Sequence, residues 1–409
     1  MPATLKPSHI PTRAEVVAAA RGLQPALKES ARATEELRML PSETVADLRR
    51  AGLHKLFTPR RFGGWEMPWG THVDVSRILG QACGSTGWVS SVVFTHTFLF
   101  GRFEPKAQEE IWGENPDAII STGFAGGGKL EPAEGGYIVN GLWKFCSGVD
   151  HANCVLVGGK LPNSKAAFID RWIVLKPGDF EIVDTWYSEG LRGTGSKDIR
   201  VVNAFIPAHR TLDVMEMAHN PPGAKLHDYY LYGAEFHSYF VTLLAGPILG
   251  AARGALTEYL AQTKGRSGAM MGESIIDQVP VQIAVAESIS ELETADLLID
   301  TMCDYLHAEG LAGRPIVGEP KLRIRRDLVM AAKLAKSSAD RLSGMMGVTA
   351  QTGHNAVQRF YRDVRTMSSH SAFNWHQTMA QSGKYYFGLK TGDPRVDETL
   401  PQTVAKAAE

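Results

Sequence analysis

The middle of the chain constrains the fold most, because its texture changes from helical to strand-rich near residue 119 and back near residue 223. Short β-branched and aromatic runs fill this segment: YIVNG, NCVLVGG, DRWIVL, FEIVDTWY and DIRVVNAFIP. Turn-forming strings such as GGG, EGG, LPNS, KPGD and GTGS separate them. Short strands between tight turns are typical of an antiparallel sheet. We therefore predict a central β domain over residues 119–222.

The segments on either side carry helical periodicity. Residues 1–118 place apolar side chains at helical spacings around a helix that we expect to begin near Ser42, after Pro41. In the segment 223–409, one apolar stripe contains Val281, Ala284, Val285, Ser288, Leu292, Ala295, Ile299, Met302 and Leu306. A second helical segment is predicted from Lys321 to Gly344. Long helices with wide apolar faces pack in bundles, so the chain is predicted to be an α+β protein of three domains.

Composition excludes several classes of function. Apolar residues make up 44% and charged residues 21% of the 409 residues, and the formal net charge is -1. Without an excess of Lys and Arg, neither a nucleic acid nor a membrane surface is expected as a partner. The four cysteines form no CxxC pair, which predicts free thiols and a cytoplasmic location rather than a zinc site. No secretory signal and no apolar run long enough to cross a bilayer is recognised.

Common catalytic motifs are missing from this chain. STGFAGGGKL lacks the GxGxxG pattern and is interpreted as a loop between strands. CGSTG is interpreted as a turn between helices, and LRGTGSKD as a turn that could lie against a ligand. His370 and His376 lie six residues apart with no carboxylate at ligand spacing, so no metal site is predicted. His96 lies in the apolar string SSVVFTHTFLFGRF, where by itself it would be a hydrogen-bonded core histidine.

Three longer strings resemble the acyl-CoA dehydrogenase superfamily. GGYIVNGLWKFCSGVDHA is similar to the central-domain motif of that superfamily, and VQRFYRDVRTMSSH is similar to its final helix. Between them, TWYSEGLRGTGSKDIRVVNAFIPAHR resembles the strand pair that closes the β domain. The resemblance implies an N-terminal α-helical domain over 1–118, a central antiparallel β domain over 119–222 and a C-terminal four-helix bundle over 223–409.

One branch of the superfamily fits better than the others. GLHKLFTPRRFGGWEM, ACGSTGWVSSVV, FTHTF and the SGxDHA ending resemble the flavin-dependent phenol hydroxylases, which include the oxygenase component of 4-hydroxyphenylacetate 3-hydroxylase and the secosteroid A-ring hydroxylase. Common acyl-CoA dehydrogenases present a Glu shortly after the Tyr-Arg-Asp of the final helix. Here the stretch from Val364 to Ser371 contains no Asp or Glu. Without that base, removal of an α-proton has no obvious acceptor.

The resemblance implies the oxygenase component of a two-component flavin-dependent monooxygenase. Such a protein takes reduced FMN or FAD from a separate NAD(P)H:flavin reductase and uses O₂ as co-substrate. Oxygen would reach an aromatic, phenolic ring through a flavin C4a-hydroperoxide, while the protein supplies position and a dry cleft. A homotetramer with flavin held between subunits is expected.

The resemblance also assigns site residues. Ser147 is expected near flavin N5, Phe145 against the isoalloxazine, and Arg266 on the flavin phosphate or the anionic reduced ring. His370 is expected to support hydroperoxide formation. His96, as an imidazole titrating near neutral pH, would hold or deprotonate the phenol, and Thr122 would contact the substrate hydroxyl.

Two departures from the phenylacetate hydroxylase pattern bear on the substrate. Ala372 stands where that enzyme has Tyr, and His237 where it has Arg. We therefore expect a differently shaped pocket and a substrate other than 4-hydroxyphenylacetate. Three alternatives stay open: an N- or S-oxygenating flavin monooxygenase, a true acyl-CoA dehydrogenase, and a non-catalytic scaffold. An oxygenase of the first kind would not need His96, and a dehydrogenase would purify with FAD and reduce an artificial electron acceptor.

Overall fold

The computed structural model of the chain describes residues 9–267, 272 and 274–401. The predictions that concern residues 1–8 and 402–409 lie outside this part. They are the outer limits of the first and third predicted domains and the missing secretory signal.

Five helices form the N-terminal part of the fold. They are α1 (Arg13–Leu37), α2 (Ser42–Arg50), α3 (Gly70–Ala82), α4 (Gly84–Phe100) and α5 (Pro105–Trp112). A capping box starts α1, because the Thr12 hydroxyl accepts from the amide of Glu15 while the Glu15 carboxylate accepts from the amide of Thr12. The second helix begins at Ser42 as predicted, directly after Pro41. The predicted turn at CGSTG is shorter than expected, because only Cys83 separates α3 from α4.

Helix α4 is buried along its whole length. Every residue from Gly84 to Phe100 is buried, including the polar ones. A helix that is apolar on all sides belongs in the middle of a protein, where it can contact several elements at once. It packs between α3, α8 and the first strand of the sheet. Side chains on α4 are therefore packed on all sides, which suits a site that must fix a ligand.

The central part is one seven-stranded sheet. Its strands are β1 (Ile120–Ala133), β2 (Gly136–Cys146), β3 (Cys154–Lys160), β4 (Arg171–Leu175), β5 (Glu181–Val183), β6 (Lys197–Pro207) and β7 (Thr211–Asp213). Their order across the sheet is β5-β6-β2-β1-β3-β4-β7. The prediction of a strand-rich segment is confirmed. The run FEIVDTWY, however, contributes only the three residues of β5.

Two details of the predicted sheet are wrong. The sheet is mixed rather than antiparallel, because β1 and β3 run parallel with Ile120 beside Cys154. The short connection after β2 passes the starting end of β1, so β3 must set out in the same direction as β1. The GGG string is also part of β1 and not a loop. It bends the strand at a register shift between Gly123 and Gly128, where Gly126 has a φ of +89°.

Helices return in the C-terminal part. They are α6 (Val214–His219), α7 (Phe236–Phe240), α8 (Ala245–Thr263), α9 (Val279–Leu311), α10 (Glu319–Met345), α11 (Ala356–Ser368), α12 (Trp375–Tyr386) and α13 (Pro394–Asp397). The four long helices α8 to α11 pack on one another, as the predicted bundle requires. All members of the predicted stripe on α9 are buried except Val285, which is half-buried.

One hydrophobic core joins the N-terminal and C-terminal helices, since α3 and α4 pack on α8. The domain limits at 118/119 and 222/223 remain a prediction. By length and composition, the segment Phe236–Thr263 could cross a membrane, contrary to the expectation from the sequence. The segment consists of α7, a turn and α8, and it belongs to the core here, because 78% of its most apolar window is buried inside the protein.

Candidate active site

One face of α4 connects two polar clusters. Trp88, Val92 and His96 follow one another at intervals of four residues, so they share a face of the helix. Eight residues correspond to about 12 Å along a helix axis. Trp88 meets Ser147 after β2, and His96 meets Thr122 on β1. We call these the serine end and the histidine end of the site.

Ser147 lies in a tight turn that follows β2. Phe145 takes a positive φ of 63°, which is unusual for an aromatic residue, and Gly148 has a φ of 73°. The amide of Ser147 donates to the carbonyl of Phe145 at 3.0 Å. Its own carbonyl accepts from the hydroxyl of Ser121 on β1 at 2.9 Å. The turn is therefore fixed from both sides, and such backbone strain is common at functional positions.

A chain of buried hydroxyl groups runs from Ser147 into the protein. Its Oγ lies 2.7 Å from Oγ of Ser196, which lies 2.6 Å from Oγ1 of Thr194. The Thr194 hydroxyl donates to the carbonyl of Leu191 at 2.9 Å. On its other side, Ser147 Oγ accepts from the indole Nε1 of Trp88 at 3.2 Å. We refer to Ser147, Ser196 and Thr194 as the hydroxyl chain.

The loop that carries the far end of the hydroxyl chain is anchored by a buried carboxylate. The amide of Leu191, a residue with a φ of 53°, donates to Oδ1 of Asp363 at 2.6 Å. The carbonyl of Leu191 also accepts from the indole of Trp186 at 2.9 Å. Burial raises the pKa of Asp363 to about 6. Asp363 belongs to the Tyr-Arg-Asp string, so this string supports the site from behind.

His370 and Phe145 border the serine end. The His370 ring meets the Trp88 ring edge-on at a centroid distance of 5.7 Å, and its Nδ1 accepts from the amide of Ala372 at 3.2 Å. Burial of its ring among protein atoms lowers the pKa of His370. Part of the residue is nevertheless exposed to solvent. Phe145 is 56% exposed and lies near Trp186. Phe145 thus adjoins Ser147 along the chain, and His370 is linked to Ser147 through Trp88.

The histidine end is built differently. Nε2 of His96 lies 3.0 Å from Oγ1 of Thr122, and both side chains are buried. Nδ1 of His96 has no hydrogen-bond partner in the part of the chain that the structure describes. Burial lowers the pKa of His96 to about 3. The expectation of an imidazole titrating near neutral pH is therefore wrong for the free chain, because burial penalises the charged form.

Aromatic rings surround the histidine end. Phe124 meets His96 edge-on at 6.0 Å and contacts Trp172 at 5.2 Å and Phe240 at 5.1 Å. Phe236 stacks on Phe240 at 5.1 Å. Edge and stacked arrangements of this kind also suit an added aromatic ring. Phe124 is 46% exposed, so the cluster of these four aromatic residues is open on one side.

Arg266 has hydrogen-bond partners other than the predicted site residues. Its guanidinium donates to the carbonyl of Met346 at 3.2 Å and contacts the sulfur of the same residue at 3.3 Å. Its hydrogen bonds within the described residues reach none of the other five. Its assignment to flavin stays a prediction, as do the assignments of those five residues.

Several residues of the site were not predicted as such. They are Trp88, Ser121, Phe124, Trp172, Thr194, Ser196, Phe236 and Phe240. The spacing of Trp88 and His96 was a usable signal, because residues eight apart share a helix face. The interpretation of LRGTGSKD as a turn against a ligand located Thr194 and Ser196 without giving them a role.

Within the described residues, no carboxylate side chain is hydrogen-bonded into the serine end. Among the described residues, no Asp or Glu side chain hydrogen-bonds to the side chains of Trp88, Ser147, Ser196 or His370. The buried carboxylates nearest in the bonding pattern, Asp198 and Asp363, accept from backbone amides. The cluster offers hydroxyl, indole and imidazole groups, which can orient a polar ring but cannot supply a carboxylate base.

Comparisons with known proteins identify the family and the fold of the chain. Residues 242–375 match the family model described as "Acyl-CoA dehydrogenase, C-terminal domain". The chain is 36% identical to the flavin-dependent monooxygenase oxygenase subunit HsaA of Mycobacterium tuberculosis, over 93% of this chain and 97% of that protein. It superimposes on the crystal structure of that monooxygenase with a TM-score of 0.87, covering 94% of this chain and 99% of the other, at 34% identity.

Two further relatives are oxygenase components. The FADH(2)-dependent resorcinol hydroxylase of Rhizobium sp. is 29% identical, over 94% of this chain and 97% of that protein. The p-hydroxyphenylacetate 3-hydroxylase of Acinetobacter baumannii is 28% identical, over 90% of this chain and 87% of that protein.

Proposed function

Because the chain belongs to the family of flavin-dependent monooxygenase oxygenase subunits, we propose that it hydroxylates a phenolic ring with reduced flavin from a separate NAD(P)H:flavin reductase. The family and the acyl-CoA dehydrogenase fold predicted from the sequence are confirmed. The prediction that the chain is the oxygenase component of a flavin-dependent hydroxylase acting on an aromatic substrate is also confirmed. The phenol, the homotetramer, the cytoplasmic location and the residue roles are proposals.

The observation that carries the proposal is the pairing of the two ends along one helix face. At the serine end, Ser147 Oγ accepts from Trp88 and bonds to Ser196, which leaves one lone pair for a ligand. Exposed Phe145 offers an aromatic surface beside it. These features fit the polar edge and the apolar face of an isoalloxazine. When bound, reduced flavin would activate O₂ and transfer one oxygen atom to the substrate ring.

His96 and Thr122 would hold the phenol. With a pKa near 3, His96 stays neutral at physiological pH and can accept a hydrogen bond from a phenol. Such a bond draws the phenolic proton away from the oxygen and makes the ring a better nucleophile. Full transfer to so weak a base is unfavourable, because each unit of pKa difference costs about 1.4 kcal/mol. Thr122 would orient the same oxygen.

The main alternatives make different demands on the site. α,β-Dehydrogenation requires a carboxylate base, and the described residues hydrogen-bonded at the serine end include none. N- or S-oxygenation needs no activation of a phenol, so it would not use the hydrogen-bonding groups of His96 and Thr122. The aromatic cluster around His96 favours hydroxylation of an aromatic ring.

A screen with chemically reduced flavin tests the proposal. The protein would be mixed with photoreduced FMN or FAD, oxygen, catalase and a panel of phenols, anilines and thioethers. We expect a phenol product heavier by one oxygen atom, and no product when oxidised flavin replaces reduced flavin. Oxidation of anilines or thioethers alone would support the alternative oxygenase. Reduction of an artificial acceptor with an acyl-CoA would support a dehydrogenase.

Assembly is tested separately. The family resemblance implies a homotetramer, so we expect sedimentation at four times the mass of one chain. A clean monomer at micromolar concentration would contradict this part of the proposal without affecting the reaction.

A further inference from the structure

The hydroxyl chain has a direction that the carbonyl of Leu191, at its far end, determines. An indole N–H can only donate a hydrogen bond, so Trp88 makes Ser147 Oγ an acceptor. A carbonyl oxygen can only accept, so the Thr194 hydroxyl donates its hydrogen bond to Leu191. Thr194 Oγ1 must then accept from Ser196, and Ser196 must accept from Ser147. Ser147 thus donates its hydroxyl hydrogen to Ser196, inside the protein.

The consequence is that Ser147 offers a ligand a lone pair and no proton. Reduced flavin carries a hydrogen on N5 and can donate it, whereas oxidised flavin has a bare N5 that can only accept. We infer that Ser196 and Thr194 are positioning residues that aim the Ser147 lone pair at the ligand and so select reduced over oxidised flavin. This inference rests on the proposed function, with Ser147 placed beside N5.

Opposite orientation of the hydroxyl chain is possible but loses an interaction. In that state Thr194 would donate to Ser196, Ser196 to Ser147, and Ser147 to the ligand. The hydrogen bond from Thr194 to Leu191 would be lost in the process. The amide of Thr194 also donates to the carbonyl of Leu191 at 3.1 Å. Because Asp363 and Trp186 hold Leu191 in place as well, this carbonyl remains aimed at Thr194. The anchored loop therefore biases the whole hydroxyl chain toward one direction.

The fold explains why these side chains meet. Strands β2 and β6 pair antiparallel with Cys146 beside Lys197, so the next residues outward are Ser147 and Ser196. All three side chains of the hydroxyl chain are buried. In such a setting a donor that faces another donor goes unsatisfied, which costs far more than an ordinary hydrogen bond contributes. The direction of a proton can therefore change the affinity for one redox state.

The test compares dissociation constants for the two redox states of one flavin. FMN and FAD, each oxidised or reduced with dithionite, are titrated anaerobically into the wild type, Thr194→Val and Ser196→Ala. In Thr194→Val, Ser196 has only Ser147 as an acceptor, so the chain reverses and Ser147 donates to the ligand. We expect the ratio of the oxidised to the reduced dissociation constant to fall about tenfold or more. A smaller fall is expected for Ser196→Ala, because Ser147 is then free to rotate.

Two controls isolate the hydroxyl. Thr194→Ser keeps the donor and should keep the wild-type ratio. Thr211→Val makes the same change at another buried Thr that donates to the carbonyl three residues earlier at 2.9 Å, on β7 at the edge of the sheet. It should also keep the ratio. Urea unfolding of each variant shows whether the protein is folded. If Thr194→Val does not fold, the test relies on Ser196→Ala.

The outcomes separate the two proposals. If the wild type prefers reduced flavin and both hydroxyl deletions keep that preference within about twofold, the inference is wrong while the proposed function stands. If the wild type binds neither flavin in its reduced form, the proposed function fails and the inference fails with it. A ratio that falls in Thr194→Val and returns in Thr194→Ser supports the directed hydroxyl chain.

Discussion

The two ends of the site use hydrogen-bonding capacity in opposite ways. At the serine end, every hydroxyl of the hydroxyl chain has partners in the free chain, and the direction of its protons is set. At the histidine end, His96 and Thr122 share one hydrogen bond, and Nδ1 of His96 has no partner among the described residues. Ser147 and His96 are both buried, and each end includes one residue from the same face of α4, Trp88 or His96.

This contrast indicates two kinds of recognition. A cluster whose polar atoms are satisfied beforehand binds through the one position it leaves open, and little reorganisation is needed. A buried pair with an unsatisfied nitrogen is unfavourable until a ligand arrives, so it gains most from a ligand with a matching hydroxyl. We associate the first kind with a cofactor of constant structure and the second with a substrate.

The largest expected effect separates the two ends by removing His96. In His96→Ala we expect phenol hydroxylation to fall at least about a hundredfold, because the group that polarises the phenol is lost. The dissociation constant for reduced flavin should stay within about twofold of the wild type, since the serine end is intact. Hydrogen peroxide should rise as product falls, and both are measured in one single-turnover reaction with reduced FMN.

A matched control for this variant is His227→Ala. His227 is another buried histidine, bonded to Gln108 at 2.9 Å and outside both ends of the site. It should retain most of the turnover. Unchanged product formation in His96→Ala would remove the assigned role of His96, whereas weakened flavin binding would show that the two ends are not independent.

The histidine end should also respond to pH, whereas the hydroxyls of the serine end do not titrate. Burial lowers the pKa of His96 to about 3 from an ordinary value of 6.5. Below about pH 6.5, His96 is protonated in the unfolded chain but stays neutral in the folded protein. The free energy of unfolding is therefore greatest above that pH and decreases as the pH falls toward 3. Each such histidine contributes a slope of about 1.4 kcal/mol per pH unit.

We therefore expect His96→Gln to unfold with a shallower pH dependence than the wild type. The difference in slope should be about 1.4 kcal/mol per pH unit between about pH 6 and about pH 4. Urea midpoints at several pH values measure it. His72, whose pKa burial lowers to about 4, keeps its own contribution in both proteins. Parallel curves for the two proteins would mean that His96 takes up its proton in the folded state as readily as in the unfolded chain.

The fold was largely predictable because local patterns encode it. The stripe on α9 was predicted nearly residue by residue, since burial of one helix face leaves a period of 3.6 residues in the sequence. The parallel pairing of β1 and β3 was not predictable, because strand order depends on contacts between distant segments. Glycines in β1 were misread as a loop, since a bulged strand and a turn use the same residues.

The candidate site was also predictable only where local sequence patterns define it. The sequence placed Ser147, His96 and Thr122 by resemblance, and each lies in one of the two clusters. It could not show that Ser196 meets Ser147, because that contact exists only through the pairing of β2 with β6. Nor could it show how far burial lowers the pKa of His96, which depends on every neighbour packed around α4.

The smallest expected effect concerns Thr122, whose hydroxyl is hydrogen-bonded to His96. In Thr122→Val the shape is kept but the hydroxyl is lost, leaving Nε2 of His96 without its partner at 3.0 Å. We expect kcat/KM for the phenol to fall about tenfold, because an unsatisfied buried group costs about 1–3 kcal/mol. Thr122→Ser retains the hydroxyl and should stay near the wild type, and neither change should alter binding of reduced flavin. If the Val variant were active and the Ser variant were not, packing of the methyl group would matter at this end and the hydroxyl would not.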